Sequence, residues 1–565
     1  MSLRVPRARW FVLCALLIPV GARAHDWYVA TNGTPSGNGS LAQPFDLTTA
    51  LSGAAGQPGD TFWLTGGTYT LGHLNTTIQG APGQPITFHE VSGAQARVDG
   101  SLTFFDSAGY VVLQDLEFYS SDTNRVSMET NVGFNPTDIT NITGIASYAP
   151  NLSFINLIVH DETGEGIYLS QIASNNLVYG CVIYNNGWRS PDNAEGHGIY
   201  AQGRNANQDI ADNIVFDNSG VCLHIYDNAT NEHISGITLD GNVGFNAGAI
   251  QNVRSYTDWI VGVDVPGINA DEIVFENNMG YFPESSNVDD AAQIGRDGVN
   301  GGVAVLNNFL PAGLEMNNWT ITAVSGNSLA AQPGQYATTI NQSASLAAAW
   351  DDNAYLVPAG AGGFLANGIA FDFAEWQADT GFDANSVYLV GTPSGTRVFV
   401  QANNYEPGRA NIIVYNWGNL TNVAVDASSV LSPGAPFAVR NAEDFFAPPV
   451  LSGVFTNQPL SLPMTGLTVA VPNGPMITPP PTGPTFNVFV LLPRMVRLQI
   501  KAVNGQAQLF WPTNAGDWVL QSTPSLSPGG TWMDVTNASA VVGDQEVVTN
   551  ATLVNAQFFR LRPAP

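Results

Sequence analysis

Asn156-Leu-Ile-Val-His160, Cys181-Val-Ile-Tyr-Asn185, Asn213-Ile-Val-Phe-Asp217, Asn242-Val-Gly-Phe-Asn246 and Glu272-Ile-Val-Phe-Glu276 are variations on one phrase. Their first residues stand 25, 32, 29 and 30 positions apart. A second phrase runs between them: Gly164-Glu-Gly-Ile-Tyr168, His197-Gly-Ile-Tyr200 and Gly220-Val-Cys-Leu-His224. Each unit holds short runs of Ile, Val, Phe and Tyr cut by Asn, Asp and Gly, and none carries a helical period. A repeat of this length made of short strands predicts a coil whose rungs stack. One rung cannot bury its own apolar side, but a stack of rungs can. Propeller blades need about 40 residues and four strands each, more than these units hold. The expected fold is therefore all-β, a parallel β-helix at its centre.

The 565 residues exceed one ordinary core, so further domains are expected. Hydrophobic residues make up 44% of the chain and come in patterned runs, which excludes disorder. Residues 1–24 read as a signal peptide. Arg4, Arg7 and Arg9 precede the apolar run Trp10 to Val20, and Ala22-Arg23-Ala24 supplies a small-x-small cleavage site. The mature chain is expected to begin at His25, outside the cytoplasm, secreted or on the cell surface. The run is too short to span a membrane, and no later stretch is longer, so no membrane insertion is expected. Removing residues 1–24 takes away four arginines and no acids. That leaves 14 basic residues against 46 acidic ones, a net charge of −32. Such a surface repels nucleic acid. An acidic polysaccharide would need a locally basic or cation-bridged patch. A monomer is expected.

In chain order, Trp27 to Ala30 is a strand and Pro44 to Leu51 a short capping helix or turn. Pro58-Gly-Asp60 leads into Thr61-Phe-Trp-Leu64, then Gly66-Gly-Thr-Tyr69, then Pro82-Gly-Gln-Pro-Ile86. This run resembles the amino-terminal end of secreted right-handed parallel β-helix proteins, and Asn218-Ser-Gly220 and His197-Gly-Ile-Tyr200 resemble their repeats. The resemblance covers roughly residues 25–335. It implies a right-handed coil and one of several activities: polysaccharide lyase, glycoside hydrolase, epimerase or none assigned. The repeat holds neither the lysines and arginines of several lyase families nor the paired aspartates of pectin hydrolases, so no family's catalytic set transfers to it.

Two insertions interrupt the period, Asn124 to Thr143 and Asn186 to Glu195. The coil is expected to end near residue 384, with a small helix at Ser343 to Ala349. Residues 385–474 alternate like an antiparallel β-sandwich, and 475–485 is a linker with five prolines. Residues 486–565 read as a fibronectin-like β domain, with strands at Val496 to Ala502, Gln506 to Trp511, Trp518 to Ser522, Gln545 to Val548 and Gln557 to Leu561.

With Ile167, Ile199 and Leu223 inward, Tyr168, Tyr200 and His224 point outward and align across rungs about 4.8 Å apart. Ser170, Gln202 and Tyr226 form a second outward column, and Glu165 and His197 occupy one equivalent position. Arg204, Asp227 and a loop carrying Trp188, Arg189 and Asp192 border the strip. Aromatic rings and polar groups in a shallow strip suit sugars, which have apolar faces ringed by hydroxyls. For elimination, His197 or His224 would be the base, Tyr200 the acid, and Arg204 or Arg189 would neutralise the uronate. Hydrolysis needs two carboxylates, and no pair among Asp161, Glu162, Asp192, Glu195 and Asp227 is singled out by spacing. A stacked ladder that only stabilises the rungs, in a glycan-binding or scaffold protein, is the other reading.

The recurring Asn156, Asn213 and Asn242, with Cys181 in their series, are expected to satisfy backbone groups at a bend. Cys181 and Cys222 are expected as unpaired, half-buried thiols. No cofactor is required. Calcium is the candidate ion, but it takes six to eight oxygens, and neither Asp192, Glu195 and His197 nor Asp289, Asp290 and Asp297 form a calcium loop. No zinc ligand set or phosphate-binding loop is present.

Overall fold

The computed structural model describes residues 24–227, 233–264, 269–281, 292–296, 298–332, 335–342, 346–360, 362–494, 498–503, 506–512, 518–525, 531–542, 545–550 and 557–563. The signal segment up to residue 23 and the Asp289, Asp290 and Asp297 loop lie outside these residues.

The chain winds into a right-handed parallel β-helix with three sheets. Each coil contributes one strand to each sheet in turn, as in Leu177–Tyr179, Val182–Tyr184 and Ile199–Ala201. Register follows the repeat: Ile167 pairs Ile199, which pairs Leu223, and all three are fully buried. Alternation along each strand then sends Tyr168, Tyr200 and His224 outward. Gly166 and Gly198, which precede the first two of these strands, are required by close approach, whereas Cys222 precedes the third. A Cβ on Gly198 would fall 2.2 Å from Val215 Cγ1 on the next coil.

The bend between the first and second sheets is held by an internal asparagine ladder. The amides of Asn213, Asn242, Asn278, Asn308 and Asn327 each donate to the side-chain oxygen of the next asparagine, at 2.8–3.1 Å, ending on Asn353. Cys181 closes one end, its amide donating to Asn213 and its thiol facing the Phe154 and Tyr179 carbonyls. Asn156 is not a rung of this ladder. It sits one residue early, in a left-handed conformation with φ of 54°, and Leu157 takes the equivalent place. Both cysteines are unpaired and fully buried rather than half-buried.

A short helix, Leu47–Leu51, covers the first coils, capped by Asp46. The coil runs further than the sequence suggests. Val387–Val390 pairs in parallel with Ala354–Val357, so it is the last strand of the second sheet rather than the first of the sandwich. Residues 347–351 form a strand, not part of a helix; the helix of this region is Phe373–Thr380, whose Trp376 plugs the end of the core.

The sandwich has a five-stranded sheet in which Phe486–Pro493 lies between Ala410–Asn416 and Pro436–Asn441. The boundary expected at 486 is therefore misplaced, because this strand completes the preceding domain. The proline-rich segment is no free spacer either. Ile477 donates its amide to the Ile250 carbonyl, and Asn473 donates its amide to Asp161 Oδ1, both on the coil. Tyr415, Phe486, Val488 and Val490 of the sandwich bury the outer face of the second sheet at Tyr184, Phe216, Phe245 and Tyr281. After residue 498, two small antiparallel sheets enclose Leu509, Trp511, Leu520 and Val548. Among the described residues no helix is long and apolar enough to cross a membrane.

Candidate functional site

The third sheet carries the predicted strip on its outer face. Tyr148, Tyr168, Tyr200 and His224 follow one another with ring centroids 5.8, 5.4 and 5.0 Å apart, the first pair edge-on, the second tilted and the third stacked. Tyr226 stacks on His224 at 4.6 Å along the same strand. Tyr168, Tyr200, His224 and Tyr226 are partly exposed, whereas Ser170 is buried beneath them.

Gln202 fixes the tyrosine protons. Its Oε1 accepts the Tyr168 hydroxyl at 2.7 Å, so its amide nitrogen must donate to the Tyr200 oxygen, 3.0 Å away. Gln202 therefore leaves the Tyr200 proton unengaged. Burial raises the Tyr200 pKa, which keeps that proton on the phenol.

The histidines differ from their expected role. His197 is buried; its Nδ1 accepts the Val221 amide at 2.9 Å, and its Nε2 lies 3.0 Å from Nδ1 of His224. A neutral His197 must therefore carry its proton on Nε2 and give it to His224 Nδ1, so that His224 holds its own proton on Nε2. Burial pushes His197 down to about 3, and the Arg254 charge pushes the same way. Burial, then the neighbouring His197, takes His224 well below its ordinary value. Neither can serve as the base: His197 has no open nitrogen, and His224 presents an N–H.

Glu195 is buried beside His197. Arg254 Nη1 is 2.6 Å from its Oε1. Burial raises Glu195 to about 7; Arg254 opposes that rise and Glu165 adds to it. With His197 neutral, the 3.6 Å approach of Glu195 Oε2 to His197 Nε2 is not an ion pair. Glu165, partly exposed and held by Thr143 Oγ1 at 2.7 Å, is the carboxylate on the open side. Asp227 is buried next to Tyr200 and Tyr226.

The bordering loop is used differently from the expectation. Trp188 is fully buried and pairs backbone with Glu195, so it offers no ring to a ligand. Arg189 Nη2 donates to the Pro475 carbonyl, and Asp192 accepts the Asn131 amide. These contacts join the two insertions into one wall, since Ser127 donates its amide to Arg189. Arg204 is exposed in the turn after the strip, and among the described residues no hydrogen bond or ion pair ties it there. The arginines that flank the strip are Arg254, stacked 5.0 Å over Tyr256, and Arg296, which pairs Asp264 at 2.6 Å while Asp264 also accepts the Tyr226 hydroxyl. Sequence reasoning missed both. They lie in irregular loops, and the only signal was the scarcity of basic residues. Among the described residues no group of three or more His, Cys, Asp or Glu could hold a metal ion.

Residues 27–261 match the family model described as Pel9A-like, right-handed β-helix region. No curated protein matches the chain. Among solved structures, pectate lyase Pel9A aligns at 17% identity over 59% of this chain and 80% of its own, with a TM-score of 0.34. The lacto-N-biosidase of Eubacterium ramulus aligns at 13% over 65% and 67%, with a TM-score of 0.36. An alginate lyase from Paenibacillus sp. strain FPU-7 aligns at 16% over 65% and 99%, with a TM-score of 0.34. The chain is a right-handed parallel β-helix protein, and its residues 27–261 resemble the Pel9A-like β-helix region, a likeness that concerns fold alone.

Proposed function

We propose that the protein is an exported, carbohydrate-active enzyme that cleaves an extracellular acidic polysaccharide laid along the Tyr168–Tyr200–His224 strip, by β-elimination. One observation carries this reading. Gln202 donates to the Tyr200 oxygen and so leaves its proton unengaged, close to the Nε2–H of His224 and with Arg254 nearby, so several donors lie together on an otherwise acidic protein. Arg254 would neutralise a uronate carboxylate, and the Nε2–H of His224 would donate a hydrogen bond to it. Glu165 would take the proton on the carbon next to it. As the C–O bond breaks and a C=C bond forms, Tyr200 would hand its proton to the leaving oxygen.

Hydrolysis is the second reading, favoured by Glu195 at about 7 with Glu165 beside it, two carboxyl groups whose environments differ. Incubation with a panel of acidic and neutral polysaccharides tests both. Elimination leaves an unsaturated, ultraviolet-absorbing sugar. New reducing ends without that absorbance select hydrolysis. Retention of a glycan with no new ends overturns both and leaves a binding protein. Export is tested separately: the secreted chain should begin at His25.

A further inference from the structure

We propose that the pocket between the last coils and the sandwich is a second glycan site, separate from the strip, that takes one carboxylate-bearing sugar residue. It lies on the second sheet, past the region the sandwich covers, whereas the strip is on the third sheet and several coils earlier. Its volume is about 420 Å³, within the range of about 300–1,000 Å³ common for small-ligand sites. Phe309, Ser328, Leu389, Ser394, Arg397 and Trp417 line it, and among the described residues no Asp or Glu does, in a chain with a net charge of −28.

Arg397 lies over Phe309 at 4.4 Å and Phe399 at 5.0 Å, and among the described residues it forms no ion pair with an acid. Rings hold the guanidinium face, which leaves its planar fork of N–H donors open at the edge. That geometry fits a carboxylate. Trp417 is half-buried and stacked 5.2 Å from Tyr415, a fixed platform for the C–H face of a sugar. Ser328 and Ser394 supply hydroxyls. An aliphatic carboxylate would use Arg397 and Leu389 but neither the platform nor the hydroxyls.

The proposal stands whether or not the strip cleaves anything. The test is ligand-observed NMR titration of the full mature chain with D-glucuronate, D-glucose and hexanoate. Glucuronate should bind saturably, with glucose at least roughly tenfold weaker. Arg397→Gln should bring glucuronate down to the glucose level, and Arg397→Lys should retain part of the preference. Thermal unfolding of the Arg397 variants should match the parent, since the side chain is exposed. Three outcomes overturn the proposal: no glucuronate binding, equal binding by the parent and both Arg397 variants, or hexanoate binding without glucuronate binding.

Discussion

On the second sheet, Tyr119, His160, Tyr184, Phe216 and Phe245 stack coil upon coil, with centroids 4.8–5.6 Å apart. On the third, Tyr148, Tyr168, Tyr200 and His224 succeed one another at much the same spacing, but only Tyr200 and His224 are stacked; the other pairs are edge-on or tilted. The first ladder lies under Tyr415 and Phe486 of the sandwich, and the second faces outward. Each contains a histidine, and the two are tuned in opposite directions. Burial lowers His160, but hydrogen bonds to Asp161 at 2.7 Å and Glu117 at 3.1 Å outweigh it and lift His160 to about 9. His224 faces another histidine and is driven well below its ordinary value. Stacked rings on a coil are thus no sign of a binding site by themselves. What lies above the rings, and which partner each polar ring is given, separates a joint from a candidate active surface.

Breaking the covered ladder should have the largest effect on the fold. Phe486 is fully buried against Phe245 and Tyr281. Phe486→Ala should cost about 3–5 kcal/mol in denaturant unfolding, the usual cost of emptying a buried aromatic site. In the open ladder, Tyr200→Phe keeps the ring and loses the proton. Its kcat should fall at least about 10²-fold with an unchanged melting temperature; a variant as active as the parent would make this strip a structural ladder as well.

Stability against pH should separate the ladders next. His160 has a folded value above its unfolded one of about 6.5, so its contribution is complete below pH 6.5 and is lost as pH rises through about 9. His197 has a folded value near 3, so its contribution is complete above pH 6.5 and is lost as pH falls toward 3. His160→Gln should flatten the alkaline limb relative to the parent, and His197→Asn the acid limb. A common effect of both variants on one limb would contradict the assignment. The smallest effect is expected for Tyr168→Ala, partly exposed, at about 1 kcal/mol of stability, but with weakened polysaccharide retention on an affinity gel.

The open ladder was legible in the sequence because strand alternation converts a repeated Ile-Tyr pair into an inward and an outward column. Its chemistry was less so. Which nitrogen of His224 bears the proton depends on the Val221 amide, 24 residues from His197, and no spacing reveals that. Trp188 looked like a ligand platform because a tryptophan in an insertion is ordinarily exposed; here the second insertion folds over it. The asparagine series was visible, but Asn156 was assigned one position wrong, since a left-handed residue before the bend breaks the alternation that sets register. The Phe486 strand was assigned to the wrong domain because sequence order does not show which strands become neighbours in a sheet.

That strand bears on the order of assembly. Phe486–Pro493 is a central strand of its sheet, yet it is the last of that sheet to emerge as the chain is synthesised. The coil can add rungs from its first strand onward, each new one docking on a finished neighbour. The sandwich cannot close until nearly 500 residues exist, and until then Phe216, Phe245 and Tyr281 on the coil have no cover. The interval between those two events is when the chain is most exposed to aggregation, and a chain stopped at residue 485 would never leave it.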